Sequence, residues 1–126
     1  MHKSRLGGFI IDCRTDDLKM ATDFWSKALG MKMRELPGEQ GSKYIGLVEP
    51  NDYYHLEVQV VDHESRLHLD IESDDVEAEV RRLEKLGAKR VAKVHSWVVM
   101  LAPTGQKFCV VRTQTRDFAK NANTWD

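Results

Sequence analysis

The sequence contains an internal repeat. Residues 10–18, IIDCRTDDL, align with residues 68–76, HLDIESDDV, at an offset of 58 positions. The alignment matches three aspartates in each copy: Asp12 with Asp70, Asp16 with Asp74, and Asp17 with Asp75. Further along, WSKALG matches LEKLG with one residue deleted. A repeating unit of roughly 55–60 residues constrains the architecture more than any single motif does, so the chain is predicted to fold as two similar modules.

The first copy predicts one strand, one helix and three further strands. Residues 7–14, GGFIIDCR, have the character of a strand, and residues 17–29 carry apolar side chains at helical spacing. The helix follows Thr-Asp-Asp, whose oxygens can cap it, and precedes Gly30, which can end it in a left-handed conformation. The next strands are predicted at residues 31–36, 43–49 and 54–61, separated by PGEQG and PND.

The second copy repeats this order. Residues 66–72, RLHLDIE, alternate like a strand, and residues 76–86 carry a helical apolar stripe before Gly87. The remaining strands are predicted at residues 89–94, 97–101 and 107–112, with the turn APTG before the last one. A half of roughly 55–60 residues buries too little surface to be comfortable alone, so the two modules are predicted to form one domain.

Composition excludes several classes of partner. The 126 residues include 19 Lys+Arg and 20 Asp+Glu, so no basic field is available for a nucleic-acid backbone. No apolar run approaches the roughly 20 residues needed to span a bilayer, and neither nucleic acid nor membrane is predicted as a partner. Only two cysteines occur and the N-terminus lacks the apolar core of a secretory signal, which predicts a cytoplasmic location. The single domain is assigned to residues 1–126, with modules at 5–62 and 66–113 and a tail at 114–126.

Two stretches of the second copy resemble a known superfamily. HLDIESDDVEAEVRRLEKLGAKRV, followed by WVVMLAPTGQKFCVV, is similar to the vicinal oxygen chelate superfamily and within it to glyoxalase-like domains, alongside glyoxalase I, bleomycin resistance proteins and extradiol dioxygenases. The resemblance covers about residues 5–113. It implies an α+β fold in which two tandem βαβββ modules form an open curved sheet or half-barrel cup, with the site inside the cup. It also implies a homodimer.

The resemblance carries an expectation about metal ligands. In metal-using members these ligands lie on the first and last strands of each module, which correspond here to Ile10, Glu57, His68 and Cys109. Isoleucine cannot coordinate a metal, and the cysteine stands where such relatives would carry a glutamate, which makes the site softer. The resemblance therefore implies no cofactor, with Glu57 and His68 as the remaining ligands if a divalent metal is bound.

Strand alternation adds further candidates for the site. If His68 faces the interior of the cup, Asp70 and Glu72 lie on the same face, and the repeat adds the equivalent side chains of the first module. An imidazole beside carboxylates in a poorly solvated site could move a proton next to a carbonyl without metal. The predicted catalytic residues are Asp12, Glu57, His68 and Asp70. The predicted ligand-binding residues are Arg14, His55, Trp97 and Cys109.

Each of these side chains also has a structural alternative. Asp12 and Asp70 can anchor backbone amides where modules meet, and His68 can line the cavity through a hydrogen bond without reacting. Cys109 can be a small buried apolar residue, because no neighbour in sequence would lower its pKa. Trp97 can stack on a planar ligand or cover the end of the sheet.

Two other segments are predicted to lie at the surface. The second helix interleaves basic and acidic residues, which predicts a solvated face with ion pairs. These residues are Arg81, Arg82 and Lys85 with Glu77, Glu79 and Glu84, followed by Lys89 and Arg90. The polar tail at residues 115–126 contains Phe118 and Trp125, and it is expected either to dock on a dimer partner or to fray.

Three functions are compatible with these patterns. The first is a glyoxalase-like protein that binds a small organic molecule in the cup between its modules, without the full metal site and with metal-independent lyase or isomerase activity. The second is a divalent-metal-dependent lyase, isomerase or dioxygenase that uses Glu57 and His68. The third is a non-catalytic protein that sequesters its ligand, as bleomycin resistance proteins do. Whether the protein is an enzyme is left open at this point.

Overall fold

The chain forms two compact units that share one long strand. A computed structural model describes all 126 residues. The central unit is Phe9–Leu67, and the terminal unit combines Met1–Gly8 with His68–Asp126. Strand β1, His2–Arg14, has its first half in the terminal unit and its second half in the central unit.

The central unit contains one helix and three further strands. After β1 come helix α1 (Leu18–Leu29) and strands β2 (Met33–Glu35), β3 (Tyr44–Leu47) and β4 (His55–Val61), with a 3₁₀ turn at Gly38–Ser42. The strand order is β2-β3-β4-β1, and β3 pairs antiparallel with both β2 and β4.

The terminal unit repeats this plan and adds a C-terminal segment. Its elements are β5 (Arg66–Ser73), α2 (Val76–Lys85), β6 (Lys89–Val94), β7 (Trp97–Leu101) and β8 (Lys107–Arg112), then α3 (Phe118–Asn121) and β9 (Asn123–Trp125). The strand order is β1-β5-β8-β7-β6; β5 and β8 are parallel, whereas β8-β7 and β7-β6 are antiparallel. Strand β9 pairs antiparallel with the start of β1.

Equivalent aspartates of the repeat begin both helices. The Asp17 carboxylate accepts a hydrogen bond from the Met20 amide at 3.0 Å, and the Asp75 carboxylate accepts one from the Ala78 amide at 3.0 Å. Each bond satisfies an amide that the first turn of a helix otherwise leaves without a partner. Gly30 ends α1 with φ of 67°, as its position predicts. The α+β class and the two βαβββ modules are confirmed; a cup between the modules stays a prediction.

Each helix covers one face of the strands in its own unit. In the central unit, Ala21 of α1 packs with Leu47 and Val58. In the terminal unit, the buried cluster joins α2 to β7 and β8 through Val80, Leu83, Val98, Met100 and Val110. Burial of each such side chain stabilises the fold by about 1.5–3 kcal/mol relative to exposure. The opposite face of each strand is the one available for binding or catalysis.

The prediction of a solvated charged face on α2 is only partly correct. Arg90 pairs with Glu77 at 3.0 Å on the exposed surface, as predicted. Glu79, however, has no exposed surface and accepts two hydrogen bonds from Arg82 at 2.9 and 2.8 Å. His2 at the start of β1 lies 2.8 Å from the same carboxylate. The helical spacing predicts that Glu79 is exposed, because a pattern within the helix contains no information about the distant start of β1, which covers this residue.

The tail does not fray, because it docks on its own chain, and its predicted contact with a dimer partner stays a prediction. Phe118 is 8% exposed, and Trp125 lies in a strand that pairs with β1. The Arg82 guanidinium stacks 3.8 Å from the centre of the Trp125 ring, whose Nε1 donates to the Ser4 hydroxyl at 2.8 Å. This pairing also explains why β1 begins at His2 and not at residue 7, since β9 supplies hydrogen-bond partners to a polar segment without strand alternation.

No helix of the structure is long and apolar enough to cross a lipid bilayer, and the longest helix has 12 residues.

Replacement of Glu79 tests this buried network. Burial opposes ionisation, but hydrogen bonds from Arg82, His2 and Ser4 outweigh it, so the pKa of Glu79 lies below its ordinary value of 4.5. A lowered pKa in the folded state stabilises the protein above pH 4.5, and this contribution is lost as the pH falls through the folded-state pKa. Glu79→Gln should lower the free energy of unfolding at pH 7 by about 2 kcal/mol, measured by urea denaturation.

The matched control is Glu84→Gln, which removes an exposed partner of Arg90 and should cost less than about 0.5 kcal/mol. The difference between wild type and Glu79→Gln should shrink as the pH falls below 4.5. A difference that does not change with pH would contradict the role of the charged carboxylate.

Candidate functional site

Three side chains of metal-ligating or proton-transferring type meet on one face of the terminal unit. The candidate ligand atoms of His68, Asp70 and Cys109 all lie within 4.8 Å of one another. His68 and Asp70 come from β5 and Cys109 from β8; we call this set the β5–β8 cluster. The His68 Nε2 atom lies 3.5 Å from an Asp70 carboxylate oxygen.

Parallel pairing of β5 and β8 brings the cluster together. The register sets Asp70 directly opposite Cys109, so the two side chains share a face. Their neighbours Ile71 and Val110 are also opposite one another, and they pack on the α2 side with the apolar core. Because the pleat alternates sides, core packing by Ile71 and Val110 forces the cluster onto the face away from α2.

The side chains of the cluster are largely buried but keep a small solvent-exposed surface. The side chain of Asp70 is 8% exposed and that of His68 is 13% exposed, while Cys109 is 9% exposed. A carboxylate next to an imidazole nitrogen can fix the orientation of the ring and stabilise its protonated form. The arrangement can therefore give or take a proton at His68 and hold the resulting charge.

The donor set also fits a metal ion of intermediate softness. Bonds of about 2.0–2.2 Å in tetrahedral geometry separate nitrogen and oxygen ligands by about 3.4 Å, and the His68–Asp70 separation is 3.5 Å. One nitrogen, one carboxylate oxygen and one sulfur would leave a fourth position for water or substrate, as in catalytic zinc sites. A hard ion such as Mg²⁺ fits less well, because Cys109 offers sulfur.

Glu72 is a buried group beside the cluster that is not among the predicted catalytic or ligand-binding residues. It follows Asp70 by two residues, has no exposed surface, and accepts hydrogen bonds from the Gln114 and Thr115 amides at 2.7 and 3.0 Å. The Thr115 hydroxyl and the Arg5 guanidinium also contact it, the latter at 3.6 Å. Glu72 thus fixes the end of β5 beside the cluster. Strand alternation had placed it on this face, but no local pattern indicates its partners after β8.

The predicted site residues of β1 lie in the central unit. Asp12 is 2% exposed, and its carboxylate lies 3.6 Å from Arg66 Nε. This ion pair favours the structural alternative for Asp12. Arg14 is exposed at the end of β1, and its backbone amide donates to the Ser65 hydroxyl at 2.9 Å. Ile10 is 2% exposed, as expected for an apolar residue in a strand.

Burial raises the pKa of the Cys13 thiol, so the protonated form dominates at neutral pH. A hydrogen bond with Trp25 opposes this rise and the nearby Asp12 charge adds to it. Cys13 is therefore not a candidate nucleophile in the central unit.

His55 and Glu57 lie on β4, also in the central unit, with both side chains half-buried. They alternate with buried Val58 and share a face with Gln59, whose amide donates to the Tyr44 hydroxyl at 2.8 Å. The register of β4 against β3 sets Glu57 opposite Gly46, so no side chain of β3 stands across from this carboxylate.

Trp97 lies on the same face of the terminal unit as the β5–β8 cluster. It starts β7 and is two residues from Val99, which is opposite Cys109. Its ring is half-buried and contacts the His95 ring at a centroid distance of 5.4 Å. Together with Val99 it forms an apolar wall beside the cluster that would suit a small organic ligand.

Comparisons with known proteins agree with the fold. The family model described as a glyoxalase-like domain matches residues 8–111. No curated protein matches the sequence. The similar solved structures include a methylmalonyl-CoA epimerase from Mycobacterium tuberculosis, with 18% identity, a TM-score of 0.58 and coverage of 91% of each chain.

Two further structures show the same fold. One is described as an NAD-dependent benzaldehyde dehydrogenase from Legionella pneumophila, with 8% identity and a TM-score of 0.61 over 84% of this chain and 99% of that one. The other is a glyoxalase/bleomycin resistance protein/dioxygenase superfamily member from Vibrio splendidus, with 11% identity and a TM-score of 0.53 over 87% and 97% of the respective chains. At these identities the likeness concerns the fold alone.

Gly7→Ala tests how tightly Glu72 is held beside the cluster. A methyl group at Gly7 would meet Cγ and Cβ of Glu72 at 2.8 and 2.9 Å, so the fixed carboxylate would have to move. The free energy of unfolding should fall by about 2 kcal/mol in urea denaturation. The control Gly46→Ala meets its nearest atom, the Arg34 carbonyl oxygen, at 3.3 Å and should cost less. Equal losses for the two variants would contradict a rigid Glu72.

Proposed function

The chain belongs to the glyoxalase-like domain family, and we propose that it binds a small organic carbonyl compound beside the β5–β8 cluster and transfers a proton there. The observation that carries this proposal is the convergence of His68 and Asp70, 3.5 Å apart, on the sheet face that α2 leaves uncovered. The reaction class is isomerase or lyase chemistry that begins with removal of a proton next to a carbonyl.

In this proposal His68 acts as the base and Asp70 holds its ring. The imidazole takes a proton from the carbon next to the carbonyl, and the adjacent carboxylate stabilises the imidazolium that results. The imidazolium then returns the proton to a neighbouring atom on its own side, which gives isomerisation, or to the same carbon after the planar intermediate has turned its other face towards His68, which gives epimerisation. The apolar wall of Trp97 and Val99 would exclude water from the ligand.

The similarity to a methylmalonyl-CoA epimerase supports this reaction class, since that protein is an epimerase by name. Ile10 stands where metal-using relatives carry a metal ligand, and this buried aliphatic side chain cannot bind a metal. Its presence supports a reaction that does not use the metal site of those relatives. The predicted homodimer and cytoplasmic location remain proposals, and sedimentation velocity of the purified protein tests the first of them.

Exchange of carbon-bound protons for deuterium tests the proposed base. The protein is incubated in D₂O with a panel of 2-oxo acids and acyl thioesters, and loss of the proton signal next to the carbonyl is followed by ¹H NMR. His68→Ala should reduce the exchange rate by about 10²-fold or more, the usual contribution of a general base. His63→Ala removes a histidine whose ring contacts Glu64 and Arg66, and it should leave the rate unchanged.

Each outcome of this experiment bears on the proposal. Exchange that persists in His68→Ala contradicts the assignment of the base. If the wild-type protein binds a panel compound saturably but catalyses no exchange, the proposal of catalysis is wrong and the protein sequesters its ligand.

A second candidate function is a metal-dependent lyase, isomerase or dioxygenase. It rests on the three ligand-type atoms within 4.8 Å in the β5–β8 cluster. There His68, Asp70 and Cys109 would hold a divalent ion, and the ion would polarise a carbonyl oxygen when bound. This ligand set differs from the expected pair of Glu57 and His68, which share no unit of the structure.

Cobalt titration distinguishes the two candidates. If Cys109 is a ligand, one equivalent of Co²⁺ should produce a thiolate-to-cobalt charge-transfer band, because the thiol must lose its proton to bind the metal. Cys109→Ser should abolish the band, whereas the matched Cys13→Ser should retain it. Absence of the band in the wild-type protein at a tenfold excess of Co²⁺ would remove the second candidate.

A further inference from the structure

A cavity lies in the terminal unit, on the α2 side of the strands. Its volume is about 570 Å³, and it is formed by the ends of β5 and β8, the β6–β7 hairpin and the first turn of α2. Val98 lines it and packs in the α2 core, whereas Cys109 is opposite Val99, whose side chain points to the other face. The cavity and the β5–β8 cluster are therefore on opposite faces of the same strands.

Two cations of this cavity have no partner within the chain. Lys93 and Arg112 are exposed, and neither the ammonium nor the guanidinium takes part in an ion pair or hydrogen bond. Arg82 and Arg90 of the same unit, by contrast, are engaged with Glu79 and Glu77. The two cations thus line one concave surface, where their fields add.

The two acidic residues of the cavity do not neutralise these cations. Both carboxylate oxygens of Glu77 accept hydrogen bonds from Arg90, at 3.0 and 3.1 Å. The Asp74 carboxylate accepts a hydrogen bond from the Lys3 backbone amide at 2.8 Å. The formal charges of these four lining residues cancel, but both acidic groups are already engaged, so Lys93 and Arg112 are the charged groups of the cavity that are left to bind an anion.

Neutral donors surround the cations. The Ser96 and Thr113 hydroxyls and the His95 ring line the same cavity, and none of them makes a hydrogen bond elsewhere in the chain. His95 occupies the left-handed region, with φ of 52°, in a two-residue hairpin turn where glycine or asparagine would fit without strain. A histidine in such a position is held there at a conformational cost, which is common at binding sites.

We propose that this cavity binds the phosphate group of a small phosphorylated molecule. Arg112 offers a planar fork of donors that matches a phosphate, and Lys93 supplies a second positive charge. A phosphate presents three or four oxygens to separate donors, whereas a carboxylate presents only two, so a lining of two cations and several neutral donors suits a phosphate better. The cavity is much larger than one phosphate group, so the remaining space would accept the organic part of a phosphomonoester.

An NMR titration tests the proposal on the full-length protein. ¹⁵N-labelled protein is titrated with inorganic phosphate and, separately, with glycerol phosphate, at constant ionic strength maintained with sodium chloride. Saturable shift changes are expected for the amides of residues 73–77, 93–98 and 112–113. Arg112→Gln and Lys93→Gln should each weaken binding about tenfold, as expected for loss of a charge-assisted hydrogen bond.

The matched control is Lys107→Gln, which removes the same charge from the other end of β8 and lies outside the cavity. It should leave the affinity within about twofold. Arg112→Lys keeps the charge but loses the fork, and it should bind with an affinity between those of the wild type and Arg112→Gln. This variant keeps the test decisive if the glutamine variant folds poorly.

The titration has results that support the proposal and results that overturn it. Tighter binding of glycerol phosphate than of inorganic phosphate supports a phosphomonoester as the ligand, and equal affinity supports a site for the free anion of the same chemistry. No saturation by about 20 mM of either compound overturns the proposal. An equal loss of affinity in Lys107→Gln and Arg112→Gln also overturns it, because binding would then depend only on net charge.

Discussion

Parallel pairing of β5 with β8 is the constraint on which the terminal unit depends. The register that sets Ile71 opposite Val110 delivers both residues to the α2 core, and the same register sets Asp70 opposite Cys109 on the other face. Apolar burial thereby determines where the reactive groups stand, because a shift of one residue would turn the cluster towards α2 and the apolar core residues away from it. The C-terminal ends of the two strands also form part of the cavity proposed to bind a phosphomonoester.

Much of the fold could be predicted because its signals are local. The aspartates before each helix and Gly30 after the first are short-range features, and they mark the helix ends in the structure. The strands β6, β7 and β8 have the predicted bounds. What sequence could not provide is pairing between distant segments. Glu79 looks like any exposed helix charge until His2 is brought to it, 77 positions away in the chain.

The site divides in the same way. Alternation along β5 correctly groups His68, Asp70 and Glu72 on one face, because a strand has a period of two. The proximity of Cys109 to that group depends on the register between strands that are nearly forty residues apart, and sequence does not encode register in any local pattern. Within the terminal unit the structure sets Asp70 and Cys109 beside His68, and the pairing of His68 with Glu57 that the resemblance implies stays a prediction.

The two outermost strands of the terminal unit are protected by different means. On the side of β1 away from β5, strand β9 covers the backbone from His2 to Ser4 and is secured by Trp125. At the opposite edge, β6 carries Lys89 and Lys93 and a bulge after Arg90, features that discourage another strand from adding to it. The last few residues therefore occupy backbone groups of β1 that would otherwise be open to pairing with a foreign strand.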